Sequence, residues 1–188
     1  LKFFRTESLA MAQYFADKED CNLVRSSCID LGGGSADVSI WQDNNLLHQC
    51  SFQLAGRDLF SQFVELKAGL IPRLFGENTQ EKFNTKIDVL LRNHSKKWLK
   101  DNRHNFEEDK EFQGLVRLMA IGTSGLYYYV GTILRALKSE GKYTEEKATA
   151  VYMGGNGSQL LHWLDSTGSF NRNSEINELF NRMLAIGS

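Results

Sequence analysis

The stretch CIDLGGGSADVSIW, residues 28–41, decides the fold of this 188-residue chain. An apolar, strand-forming segment leads into Asp30, three glycines follow at 32–34, and a second strand is predicted after Ser35. Glycines lack Cβ, so their amide N–H groups can close on an anion. An aspartate would repel phosphate, but it can hold a hydrated Mg²⁺ or a water beside one. The simpler interpretation is a glycine-rich hairpin turn that the aspartate caps.

A second glycine turn lies far along the chain, in AVYMGGNGSQLL at residues 150–161. The pattern predicts a strand, a glycine turn and the start of a helix. Turns of this kind place the unpaired N–H groups of a helix start around a ligand. Two such turns, far apart in sequence, can converge on the two ends of one nucleotide.

Together the two segments resemble the nucleotide-binding core of the actin, heat-shock chaperone and sugar kinase superfamily. The first resembles the second phosphate loop of that family, Asp-apolar-Gly-Gly-Gly-Thr/Ser, and the second resembles its adenosine loop. Residues 6–15 resemble the connecting helix, with Ser8 in place of the usual proline. Residues 54–60 resemble the Gly-Gly-x-x-Phe start of the next helix, with Ala55 in place of the first glycine. All four segments occur in the family's order.

The resemblance implies an α/β fold: a ribonuclease-H-like, actin-type lobe whose mixed sheet is flanked by helices. It also implies an inserted, mainly helical subdomain at about residues 69–109, where partner specificity would lie. The family's first phosphate loop, a strand hairpin with Asp-x-Gly-Thr/Ser, does not precede Thr6. We therefore expect residues 1–188 to be the second, C-terminal lobe of a two-lobed ATPase, a fragment of a longer protein that supplies the first lobe.

Three residues are candidate catalytic residues by the same resemblance. Asp30 would position Mg²⁺ through water, Glu7 would order metal-bound water, and Ser35 would donate its hydroxyl to a phosphate or an attacking water. The simpler alternatives are that Asp30 caps its turn and that Glu7 is a solvated carboxylate at a helix start, where the helix dipole favours it.

The remaining site residues would bind the nucleotide itself. The resemblance implies ATP or ADP with Mg²⁺ as the cofactors. The amides of Gly32, Gly33 and Gly34 would bind the phosphates. The adenosine and α-phosphate side would be lined by Gly154, Gly155 and Asn156.

The function that the resemblance implies is an ATP-binding lobe of an actin-like or heat-shock-chaperone-like ATPase that couples nucleotide state to conformation. Since both lobes supply the catalytic contacts in the family, we expect the isolated lobe to be inactive and the full-length protein to hydrolyse ATP. One alternative is a sugar kinase or a polyphosphate phosphatase. Another is a non-catalytic nucleotide-sensing scaffold or filament subunit, so self-association or a protein client would be a further partner beside the nucleotide and the missing lobe.

Composition excludes several other classes. With a net charge of −1 at pH 7, the chain gives no reason to expect a nucleic-acid or membrane-surface partner. No apolar run reaches the length of a membrane span. The cysteines Cys21, Cys28 and Cys50 form no close pair and no zinc-ligand spacing with the histidines, which favours a cytoplasmic protein with reduced thiols.

Hydrophobic periodicity predicts the individual elements. Strands are expected at 23–31, 37–41, 46–54 and 148–153, the first three as a meander. Helices are expected at 3–15, 56–68, 79–92, 158–164 and 174–184, the last capped by Ser174. The glycines at 122, 125 and 131 are expected to divide residues 112–138 into two helices or to kink them. A break is expected at 69–78 around Pro72, and exposed loops at 101–109 and 166–173.

Overall fold

The computed structural model describes residues 7–18, 25–67, 69–75, 97, 99–144, 150–165 and 174–188. The strands are β1 (Arg25–Leu31), β2 (Ala36–Gln42), β3 (Asn45–Phe52) and β4 (Ala150–Gly154). The α-helices are α1 (Glu7–Lys18), α2 (Gln62–Leu66), α3 (Leu70–Phe75), α4 (Lys110–Ser139) and α5 (Glu175–Gly187). A π-helical turn (Arg57–Ser61) leads into α2, and 3₁₀ helices occupy Arg103–Asn105 and Asn156–Leu164. The predicted helix at 79–92, the loop at 166–173 and Cys21 lie outside the described residues.

The four strands form one mixed sheet in the order β3-β2-β1-β4. The pairs β1–β2 and β2–β3 are antiparallel, whereas β1 and β4 run parallel. Asp43 and Asn44 turn the chain between β2 and β3 with φ values of 52° and 62°. Positive φ at both central residues is the geometry that fits the twist of a tight hairpin. The predicted meander is therefore confirmed.

Helices cover both faces of this sheet. Alternation along β1 sends Ile29 and Leu31 to one face, where they join a buried core with α4, the π-helical turn and the longer 3₁₀ helix. Cys28 points to the opposite face and packs with Ala12 of α1 and with Trp41. The structure thus shows an α/β fold with a mixed, helix-flanked sheet, as the sequence predicted.

The long helix α4 is continuous for 30 residues, so the expected division into two helices at its glycines is wrong. Packing explains two of these glycines, Gly122 and Gly131. A Cβ at Gly131 would lie 2.4 Å from the carbonyl oxygen of Leu184, because α5 crosses there in backbone contact. A Cβ at Gly122 would lie 2.0 Å from Cδ2 of Leu59. Tertiary contacts outweigh the propensity cost of about 1 kcal/mol per helical glycine.

Two further expectations about loops are wrong. Pro72 was expected to mark a break but lies within α3, in the first turn, where its missing N–H leaves no helical bond unmade. Residues 101–109 are not an open loop, because they form the end of a helical stretch, the 3₁₀ turn at Arg103–Asn105 and the N-cap of α4. The cap is Asp109, whose carboxylate accepts the N–H groups of Glu111 and Phe112 at 2.9 Å.

The last helix begins where the sequence predicts, but it is capped differently. Ser174 precedes α5, and its hydroxyl makes no capping bond to the helix. The hydroxyl instead donates to the buried carboxylate of Asp165, which needs a partner away from water. In the described part of the chain, no helix combines the length and hydropathy needed to cross a bilayer.

Candidate functional site

Both glycine turns lie at the same end of the sheet. β1 and β4 are parallel neighbours, and Asp30 pairs in register with Gly154 at their carboxyl ends. The glycine loop that follows β1 and the turn that follows β4 therefore emerge side by side. In open α/β sheets, the crevice beyond the carboxyl ends of such strands is where ligands bind.

The two turns touch each other at Gly155. Its φ of 81° belongs to a region that residues with a Cβ rarely adopt. A Cβ there would lie 2.2 Å from Oδ1 of Asp30 and 2.6 Å from the carbonyl oxygen of Leu31. Gly157 is as close, since its Cβ would lie 2.5 Å from the carbonyl oxygen of Gly32. Glycine is thus required at both positions to bring the second turn against the aspartate and the first loop.

Two backbone hydrogen bonds from the start of the π-helical turn hold the first loop. The N–H of Gly56 donates to the carbonyl of Gly32 at 3.1 Å, and the N–H of Arg57 donates to the carbonyl of Gly33 at 2.8 Å. Within the described residues, the N–H groups of Gly33 and Gly34 have no partner in the protein. The Gly33 carbonyl and the Gly34 N–H belong to one trans peptide unit, in which the two groups point in opposite directions. Since the Gly33 carbonyl faces this helix start, the Gly34 N–H faces away from it and is available to an anion.

A cleft of about 470 Å³ lies between the two turns and α1. This volume falls within the range of small-molecule sites in proteins. Ala10 and Met11 form the wall that α1 provides. The other lining residues come from the two turns: Asp30, Gly32, Gly33, Gly155 and Asn156.

Three of the predicted site residues that the structure describes do not line this cleft. Gly34 and Ser35 complete the first loop beyond Gly33, and Gly154 is the last residue of β4. Glu7 is the first residue of α1, and its side chain lies outside the described residues. A Cβ at Gly34 would meet nothing within 4 Å, so the turn itself does not require glycine there.

A second carboxylate stands next to Asp30, and its place was not predicted from the sequence. Asp37 on β2 pairs in register with Asp30 on β1, so both side chains emerge on the same face of the sheet. The signal was present in the spacing, because a tight turn at 32–35 sets these two positions opposite each other. Asp37 is half-buried. The pKa of the Cys50 thiol is raised first by burial of the thiol and then by the negative charge of Asp37. Adjacent carboxylates favour a cation nearby.

The residues present fit a magnesium ion that arrives with a phosphate. Among the described residues, no three His, Cys, Asp or Glu side chains group closely enough to hold a metal ion by themselves. Mg²⁺, however, keeps several waters and is usually bound through one or two carboxylates together with substrate phosphates. Asp30 in the cleft and the open loop amides provide that donor set.

No protein-family model matches this chain, and no curated protein matches its sequence significantly.

Proposed function

We propose that this chain binds an adenine nucleotide with Mg²⁺ in the cleft between the two glycine turns, as the second lobe of an actin-like or heat-shock-chaperone-like ATPase. The observation that carries the proposal is the contact of Gly155 with Asp30. Two turns about 120 residues apart meet so closely that neither Gly155 nor Gly157 tolerates a side chain. The loop presents free amides where the carboxylate can hold hydrated metal, which is the pairing that a metal-bound polyphosphate requires.

The roles follow from where each group lies. The Gly33 and Gly34 amides bind phosphate oxygens, and Asp30 holds the waters of the metal ion. Asn156 begins the 3₁₀ helix, and we assign the N–H groups of Asn156 and Gly157, which precede its first helical bond, to the α-phosphate side of the ligand. On the basis of the family resemblance, Ser35 is proposed to donate its hydroxyl to a phosphate or an attacking water, and Glu7 to order metal-bound water.

Hydrolysis needs more than this lobe provides. The transferred phosphoryl group is stabilised by cationic and metal contacts that surround it. None of the residues lining the described cleft is a lysine or an arginine. We therefore propose that the chain alone binds Mg²⁺-ADP and Mg²⁺-ATP but turns over negligibly, and that an opposing lobe completes the site. Closure of the two lobes around the nucleotide would couple its state to conformation.

Calorimetric titration with Mg²⁺-ADP tests the proposal. Asp30→Asn keeps the size of the side chain and removes its charge, so the metal-dependent affinity should fall about tenfold or more, while titration without metal changes little. Asp43→Asn is the matched control. It makes the same charge change at the opposite end of β2, in a turn with positive φ that asparagine accepts readily. Equal affinities for the wild type and both variants would refute the site.

A further inference from the structure

The helix that starts at the cleft has an unusual form. Residues Asn156–Leu164 wind as a 3₁₀ helix for nine residues. Such helices have poorer hydrogen-bond geometry than α-helices, and runs longer than three or four residues are uncommon. A stretch of this length therefore needs contacts at its ends that hold it in the tighter winding.

At the cleft end, the helix is wedged against the first loop. Gly157 packs on the carbonyl of Gly32, and the Leu160 side chain lies 3.2 Å from the position a Cβ would take at Gly56. Ser158 donates both its N–H, at 3.2 Å, and its hydroxyl, at 2.7 Å, to the carbonyl of Gly155. Any change in the length of the helix thus moves atoms that touch the glycine loop.

At the far end, Arg103 holds the last carbonyls. Its Nη1 donates to the carbonyl of Trp163 at 2.6 Å and to that of Asp165 at 2.7 Å. The guanidinium carbon lies 5.8 Å from the centroid of the Phe112 ring. A partly buried arginine that makes charge-assisted bonds to two backbone carbonyls is a strong anchor.

The side chains around Arg103 are also buried. Trp163 is fully buried, with its ring centroid 5.2 Å from that of Phe60 and 5.8 Å from that of Phe112. The Asp165 carboxylate is buried and accepts the hydroxyl of Ser174. The end of the 3₁₀ helix is therefore fixed to the starts of α4 and α5, so that only the cleft end can respond to a change in winding.

We propose that Arg103 is a positioning residue for the cleft: by holding the Trp163 and Asp165 carbonyls, it keeps residues 156–164 in the extended 3₁₀ form that presses Asn156 and Gly157 against the glycine loop. The inference rests on the proposed nucleotide site. A 3₁₀ helix rises about 2.0 Å per residue and an α-helix about 1.5 Å, so nine residues differ by about 4–5 Å between the two windings. Release of Arg103 lets the segment shorten and draws Asn156 out of the cleft.

The position of Arg103 in the sequence would let a partner of residues 69–109 act on the cleft. Arg103 lies within residues 69–109, the segment that the sequence predicts to be an insertion, and it bonds to the end of the 3₁₀ helix. A partner that moved the segment would move Arg103 and hence the winding of a helix that ends at the nucleotide. By reciprocity, nucleotide binding would change the affinity for that partner.

The experiment follows hydrogen exchange of the whole chain by mass spectrometry and Mg²⁺-ADP affinity by calorimetry. Arg103→Met removes all donors and keeps an apolar stem over Phe112. Arg103→Lys restores a donor and should recover part of the effect. Arg135→Met is the matched control, because Arg135 also donates to backbone carbonyls at a helix end, those of Ile186 at 2.8 Å and Ser188 at 3.4 Å.

Arg103→Met should speed exchange about tenfold or more along the full helix, as far as Ser158 beside the cleft, and weaken Mg²⁺-ADP binding about tenfold. Arg135→Met should do neither. A purely structural role would speed exchange only at residues 162–164 and leave affinity unchanged, and that result overturns the proposal. If the wild type binds no Mg²⁺-ADP, the nucleotide site fails by itself, and the exchange pattern still decides whether Arg103 governs the helix up to the cleft.

Discussion

At Gly155 and Gly157 in the cleft, as at Gly131 in α4, a Cβ would clash with neighbouring backbone, yet the two regions serve different purposes. Gly155 and Gly157 bring one backbone turn against another, beside loop amides that make no bond within the described protein. Gly131 brings α4 against α5, where the backbone amides are already used by the helices themselves. Close approach is common to both regions, but only the cleft leaves N–H groups free beside a carboxylate.

This contrast separates a binding site from a packing contact. A glycine that allows two saturated backbones to touch contributes only to packing density. A glycine that exposes unsatisfied amides gives up stability, which is a characteristic of sites that a ligand completes. Substitutions in the two regions should therefore differ in what they change: affinity and stability together at the cleft, stability alone at the helix crossing.

The largest effect is expected from Gly155→Ala. The Cβ would meet Asp30 Oδ1 at 2.2 Å on a backbone with φ of 81°, so the turn must move. Unfolding free energy should fall by about 3 kcal/mol, and Mg²⁺-ADP binding should be lost. Urea denaturation and calorimetry measure the two effects. Gly34→Ala is the control for stability in the same loop, since its Cβ has open space, and a similar loss of unfolding free energy there would contradict the account.

Gly131→Ala should come next. A Cβ 2.4 Å from the Leu184 carbonyl and 2.8 Å from Cα of Gly187 forces the two helices apart. The expected cost is about 1–3 kcal/mol of unfolding free energy, as for overpacked cores. Because the crossing does not touch the cleft, the Mg²⁺-ADP affinity of the folded protein should stay at the wild-type value. A large loss of affinity without a loss of stability would show that the two regions are not separate.

The smallest effect, and of opposite sign, is expected from Gly125→Ala. This glycine lies in α4 on an exposed position, and a Cβ there would meet nothing within 4 Å. Alanine has the higher helix propensity, so the protein should gain about 0.5–1 kcal/mol. A rise in the thermal midpoint measures this gain. A decrease would mean that α4 is interrupted near this glycine after all.

The sequence predicted the sheet better than the helices. Alternation along β1 and β2, with glycines between them, predicts the meander. The pattern of the two glycine turns also indicated that they can lie close together. The continuity of α4 could not be predicted, because Gly122 and Gly131 read as helix breakers until the atoms opposite them are known. The pairing of Asp30 with Asp37 was indicated by the spacing across the tight turn at 32–35 but was not used. The 3₁₀ form of Asn156–Leu164 could not be predicted, because in our proposal it depends on Arg103, which is distant in sequence.

The central claim is that both glycine turns bind one nucleotide. Titration of ¹⁵N-labelled protein with Mg²⁺-ADP, followed through the backbone amide resonances, tests it most directly. The resonances of Gly33, Gly34, Asn156 and Gly157 should shift together along one binding curve, and the same shifts should be much smaller in Asp30→Asn at equal, sub-saturating ligand concentration. Shifts confined to one turn, or shifts that lie elsewhere in the chain, would contradict a single site between the two turns.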